Sequence, residues 1–102
     1  MPDDDRSQRF IRGLRNGDAS AVREFCDRYG DALERIADRR LTGNLRRRIG
    51  PEDVVQSACC TFLRRVRAGE FHLPDSASLW QLLCAITLTK VREQARFHLR
   101  EK

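Results

Sequence analysis

Apolar residues recur at intervals of three and four along almost the whole chain, and no stretch alternates in twos with β-branched enrichment, so the pattern predicts helices and no strands. A short opening helix over 6–15 carries Phe10, Ile11 and Leu14 and breaks at Asn16 and Gly17. Asp18 is placed to cap a long helix running to about Leu41, in which Val22, Phe25, Cys26, Tyr29, Leu33, Ile36, Ala37 and Leu41 form one buried stripe. Thr42, Gly43 and Asn44 end it, and Arg46, Arg47 and Arg48 read as a basic link. Pro51 in a first helical turn, with Glu52 and Asp53 at the positive end of the dipole, predicts a helix over 51–68 that stops at Gly69. At about 100° per residue, Val54, Val55, Ala58, Cys59, Phe62, Leu63 and Val66 fill one half of this cylinder. Asp53, Gln56, Ser57, Cys60, Arg64 and Arg67 fill the other half, which is either a solvated face or a docking surface.

A loop over 70–77 follows, and Ser78 with Gln81 matches a capping box for the last helix. From Leu79 to Leu88 apolar residues point nearly all round, which predicts deep burial. Beyond it Leu88, Val91, Ala95 and Leu99 keep one apolar stripe, while Thr89, Arg92, Glu93, Arg96 and Arg100 line the other side. This helix is expected to have a buried root and a basic, exposed end. Short connections between such helices imply an all-α fold, a compact bundle of about three long helices plus a short N-terminal one, in a single domain over 1–102 with residues 1–8 flexible.

Length and charge narrow the picture further. A chain of 102 residues has room for one domain. Its net charge of +5 is unevenly placed: acids stand at Asp3, Asp4 and Asp5 and through 18–38, while bases cluster at 39–48, 64–67 and 90–102. Such segregation fits a polyanion partner as well as it fits solvated faces of an Arg-rich protein. The opening MPDDDRSQRF is unlike a secretory signal and no run is long enough to span a membrane, so a cytoplasmic protein without membrane contact is expected.

The inventory for catalysis is poor: His72 and His98 pair with no nucleophile, no Gly-rich phosphate cradle occurs, and the thiols of Cys26, Cys59, Cys60 and Cys84 lack metal-ligand spacing. No enzyme activity, metal or cofactor is expected, and the thiols read as reduced. The neighbours Cys59 and Cys60 leave a redox sensor as a second reading, and Trp80 reads either as core, which its apolar stretch favours, or as a wedge for strand separation.

Two pieces in combination carry a resemblance: Pro51-Glu52-Asp53-Val54-Val55-Gln56-Ser57 continuing through Leu63, and Leu79-Trp80-Gln81-Leu82-Leu83-Cys84-Ala85-Ile86-Thr87-Leu88-Thr89 running into bases. Together with Gly17, Asp18, Phe25 and Tyr29, the chain from about 9 to 100 resembles the second conserved region of bacterial RNA polymerase sigma factors of the extracytoplasmic-function class. The resemblance implies that Asp53 and Gln56, with Glu52, Ser57 and Cys60 on the same surface, bind the polymerase core at the clamp coiled coil of its largest subunit. It implies also that the loop residues His72, Leu73, Pro74, Asp75 and Ser76, with Thr89, Lys90, Arg92, Glu93, Arg96 and Arg100, recognise the promoter's minus-ten element and hold its melted non-template strand. An anti-sigma factor is a further possible partner. The chain departs from the family's usual residues at Thr89, where Asn is common, at Glu93, at Ser57, and at Leu82, where Trp is usual. The change at Thr89 bears on sequence reading, because an amide can pair bidentately with a base and a hydroxyl cannot. No segment encodes the helix-turn-helix domain that this class uses for the minus-thirty-five element. Two other readings stay open: a helical protein-interaction module of anti-sigma or decoy type, which needs the polar face of 51–68 alone, and a sequence-neutral nucleic-acid binder, which needs only the bases.

Overall fold

The computed structural model describes the backbone of residues 2–41, 43–73 and 75–100, with side chains from Gln8 onward apart from those of Ser76, Leu99 and Arg100. Among them are five helices and no strand: α1 Pro2–Arg15, α2 Ala19–Arg40, α3 Asn44–Arg48, α4 Pro51–Arg67 and α5 Ser76–Arg100. The all-α bundle expected from the periodicity is present. The segment 44–48 is a helical turn of its own where a plain link was expected, held by the Ile49 N–H on Leu45 O.

Two corners are built alike. After α1, Gly17 takes φ 71°, the Gly17 N–H donates to Leu14 O and the Asp18 N–H to Gly13 O at 2.9 Å. After α4, Gly69 takes φ 75°, the Gly69 N–H donates to Val66 O and the Glu70 N–H to Arg65 O. Both satisfy the orphan carbonyls of a helix end through a left-handed glycine. Asp18 then serves the next helix at once, accepting from the Ser20 N–H at 3.0 Å as the cap of α2.

The core lies where α1, α2, α4 and α5 meet, and its centre is aromatic. Phe62 of α4 stacks on Phe25 of α2 at 5.2 Å and 3°, and Phe71 stacks on it too, at 6.0 Å and 12°. Tyr29 carries the contact from α2 to Trp80 of α5 at 5.9 Å. Trp80 is half-buried in this stack. These rings draw the α4–α5 connection onto the bundle.

Three local expectations change. Cys26 is exposed, because the stripe of α2 is narrowed to Phe25, Tyr29, Leu33 and Ala37. α5 starts at Ser76 and its cap is Asp75, which accepts from the Ser78 N–H at 2.8 Å, so Ser78 and Gln81 are not a capping pair. The first half of α5 is buried on one side only: Leu79, Leu83, Ile86 and Thr87 face the core, Leu82, Cys84 and Leu88 are half-buried, and Gln81 and Ala85 are exposed. Thr87 is accommodated in the core because its hydroxyl donates to Leu83 O at 2.8 Å.

Candidate nucleic-acid interface and docking face

α4 carries the candidate docking face. Its buried half is Val54, Val55, Ala58, Cys59, Phe62 and Val66. Glu52, Asp53, Gln56 and Cys60 are exposed and Ser57 half-buried, all on the outer side in its first two and a half turns. Gly50 caps α4 through its carbonyl, which receives the Asp53 and Val54 N–H groups at 3.1 and 3.3 Å. A side chain at Gly50 would come within 2.8 Å of the Glu52 carboxylate, which lies back over it. Among the described residues Glu52, Asp53 and Gln56 make no ion pair or side-chain hydrogen bond, so their polar groups are open to a partner.

The α4–α5 loop is strapped to the rest of the molecule. Arg15 Nη2 donates to Phe71 O at 3.2 Å and Gln8 Nε2 to Leu73 O at 3.5 Å, so α1 holds the loop backbone from one side. From the other, the Arg65 guanidinium lies 4.7 Å over the Phe71 ring and reaches Glu70 at 3.4 Å. Leu73 is buried as an anchor and His72 is exposed. The Ser78 backbone and side chain hold the exposed Asp75 carboxyl below its usual range. Pro74 lies outside the described residues.

Between this loop and the start of α5 is an open pocket of about 420 Å³, lined by Glu70, Phe71, His72, Leu73, Ser78, Gln81 and Leu82. Phe71 and Leu82 give it apolar walls, while His72 and Gln81 offer an imidazole and an amide. Gln81 was legible in the sequence only as a capping residue; the Asp75 cap frees it for the pocket. Phe71 had no signal of its own and Leu82 stood out only as a departure from the family's usual Trp, since each becomes a wall only when the loop folds back.

Further along α5, Thr89, Arg92, Glu93 and Arg96 are exposed on one side. Thr89 Oγ1 donates to Ala85 O at 2.9 Å, which spends its proton inside the helix and leaves the hydroxyl as an acceptor. Lys90 is half-buried and stands 4.0 Å from Glu93, whereas Arg92 and Arg96 have no acidic partner among the described residues. Gln81 and Arg92 are eleven residues apart, about 16 Å along the axis. Pocket and basic end therefore belong to one continuous track. Arg100 is the last residue of α5, with its side chain outside the described set.

The family model of the ECF sigma factor matches residues 6–102, nearly the whole chain. The chain belongs to the ECF sigma factor family. An ECF sigma factor acts in transcription initiation, and the helical architecture, with no helix among the described residues long and apolar enough to cross a membrane, is in keeping with that membership. No curated protein and no solved structure matches the chain.

Proposed function

We propose that this sigma-factor domain docks on the polymerase core through the α4 face of Asp53, Gln56, Glu52, Ser57 and Cys60, and holds promoter minus-ten DNA along α5. The observation that carries the reading is the separation of an unpaired acid and amide face on α4 from an unpaired basic track on α5. A helical coiled coil of the polymerase clamp offers donors to the first and a nucleic-acid strand offers phosphates to the second.

On this reading a base unstacked from the promoter enters the pocket beside Phe71, where Leu82 and the edge of the Phe71 ring bound it and His72 and Gln81 meet its polar edge. Unstacking costs a few kcal/mol, which apolar contact with Leu82 and edge hydrogen bonds to His72 and Gln81 offset. The strand then follows α5 toward Arg92 and Arg96, whose guanidiniums hold phosphates without regard to sequence. Thr89, restricted to accepting, favours a base that presents an amino group.

The test is capture of polymerase core with the chain as bait, in parallel with binding to a single-stranded oligonucleotide carrying the promoter element. Asp53→Ala and Gln56→Ala are each expected to weaken core capture by about tenfold or more and to leave single-strand affinity unchanged. Arg92→Ala with Arg96→Ala is expected to reduce the logarithmic salt slope for the single strand by about 1.4, two phosphate contacts' worth, and to leave core capture intact. Equal losses of both activities in the α4 variants would count against the docking role.

A further inference from the structure

The basic run at 39–48 is used by neither the α4 face nor the α5 track. Residues 38–48 hold five arginines against one acid, Asp38. Arg39 and Arg40 close α2, and Arg46, Arg47 and Arg48 make up the larger part of α3; all five are exposed. Arg46 is tied to Asp38 at 2.8 Å. Arg39, Arg40, Arg47 and Arg48 make no ion pair or side-chain hydrogen bond among the described residues. Glu52 and Asp53 begin the next helix without reaching them within 4.0 Å. Gathered like charges without counter-ions repel one another and set up a positive field that draws a polyanion.

The topology places this patch beside the end of α5. α2 and α4 are joined by the short 41–50 segment and meet at Phe25 and Phe62, well back from the joint in both, so they run antiparallel. α4 and α5 are joined by a loop that folds back on Phe62 and pack extensively, so they too are antiparallel, and α2 runs parallel to α5. Tyr29 and Trp80 stand level at 5.9 Å. Eleven residues on, about 16 Å further along each helix, come Arg40 in α2 and Val91 in α5. The end of α2, with α3 following it, thus lies at the same end of the molecule as Arg92 and Arg96.

We propose that Arg39, Arg40, Arg47 and Arg48 form a second phosphate-contact surface that holds the backbone of duplex DNA adjoining the strand on α5. This rests on the assignment of α5 to DNA made above. The duplex is favoured because residues 38–48 contain no aromatic side chain on which an unpaired base could stack, while guanidiniums spread over two helices suit phosphates of a regular backbone. Its place at the same end of the molecule as the basic end of α5 favours DNA over an acidic protein.

The experiment compares a short duplex oligonucleotide with its single strand across a salt series, using the full chain, the Arg47→Ala/Arg48→Ala variant and the Arg47→Lys/Arg48→Lys variant, with thermal melting of each. The alanine pair is expected to melt as the parent does, to reduce the duplex salt slope by about 1.8 and to lose roughly tenfold or more in duplex affinity near 0.1 M salt, with little change on the single strand. The lysine pair is expected to keep the slope. An unchanged duplex slope in the alanine pair, while Arg92→Ala/Arg96→Ala flattens the single-strand slope, overturns the second surface and leaves the α5 reading standing. Loss of polymerase-core capture with an unchanged slope overturns it in favour of an acidic protein partner. If the α5 variant also leaves every slope unchanged, the failure lies with the α5 reading itself.

Discussion

Cys59 and Cys60 are neighbours in the chain and opposites in chemistry. The Cys59 side chain turns into the core, where burial first, then the nearby Cys26 and Cys60, push its thiol from 9.0 up to about 11, while Cys60 lies on the outer face of α4. A thiol whose folded value is raised contributes stability that is complete below pH 9.0 and is lost as pH climbs toward about 11, because the unfolded chain ionises first. Alkylation at neutral pH is therefore expected to modify Cys26 and Cys60 readily and Cys59 only on unfolding, and Cys59→Ala should remove part of the alkaline fall in melting temperature. Modification of Cys60 is further expected to impair core capture. Native labelling of Cys59 as fast as Cys60 would refute this account of the α4 face.

At the scale of elements, close approach and aromatic stacking decide how the helices meet. A Cβ at Gly13 would stand 2.8 Å from the Ala21 Cβ, so α1 and α2 cross where neither can spare a methyl. Gly13→Ala, which gains about 0.5–1 kcal/mol in an open helix, is expected here to destabilise by about 1–3 kcal/mol, and Ala21→Gly in the same chain should restore part of the loss in denaturant melts. The second case is Phe71. Its ring packs between Phe62 and the Arg65 guanidinium, and its carbonyl receives Arg15. Phe71→Ala is expected to cost roughly 1–3 kcal/mol in stability, below the range for a fully buried Phe because Phe71 is half-buried. It should also weaken promoter single-strand binding while leaving polymerase capture alone; unchanged strand binding would remove the pocket from the proposal.

Across the whole molecule, the α4 face and the α5 track are held by one core yet share no ion pair or side-chain hydrogen bond among the described residues. Residues more than about 7–10 Å apart without shared partners act additively. Combining Asp53→Ala with Arg92→Ala and Arg96→Ala is accordingly expected to give the product of the separate losses when core and strand are assayed one at a time. A departure from that product of more than about threefold would mean that the two faces are coupled through the bundle. The molecule extends 49 Å along its long axis and 24 and 21 Å across, so α5 can lay a strand along its length while α4 faces another partner.

The amino-acid sequence alone was enough for the helices, the Asp18 cap, the split of α4 into buried and open halves, and the family, because each rests on periodicity or on residues adjacent in the chain. The start of α5 differs from the expectation because Asp75 and Ser78 are about equally good caps on local grounds, and in the fold the Asp75 carboxylate takes the Ser78 N–H. Cys26 was placed in the core because a periodic stripe has no visible edge until a neighbouring helix sets its width. The pocket and the basic end were beyond any local signal. Phe71 and Leu82 become walls, and the end of α2 comes to the same end of the bundle as Arg92, only when the Phe25, Phe62 and Phe71 stack and the Tyr29 and Trp80 contact bring distant segments together. Local preference can choose a helix and its inward face, but which helices stand side by side, and at what level, follows from burying those rings against one another.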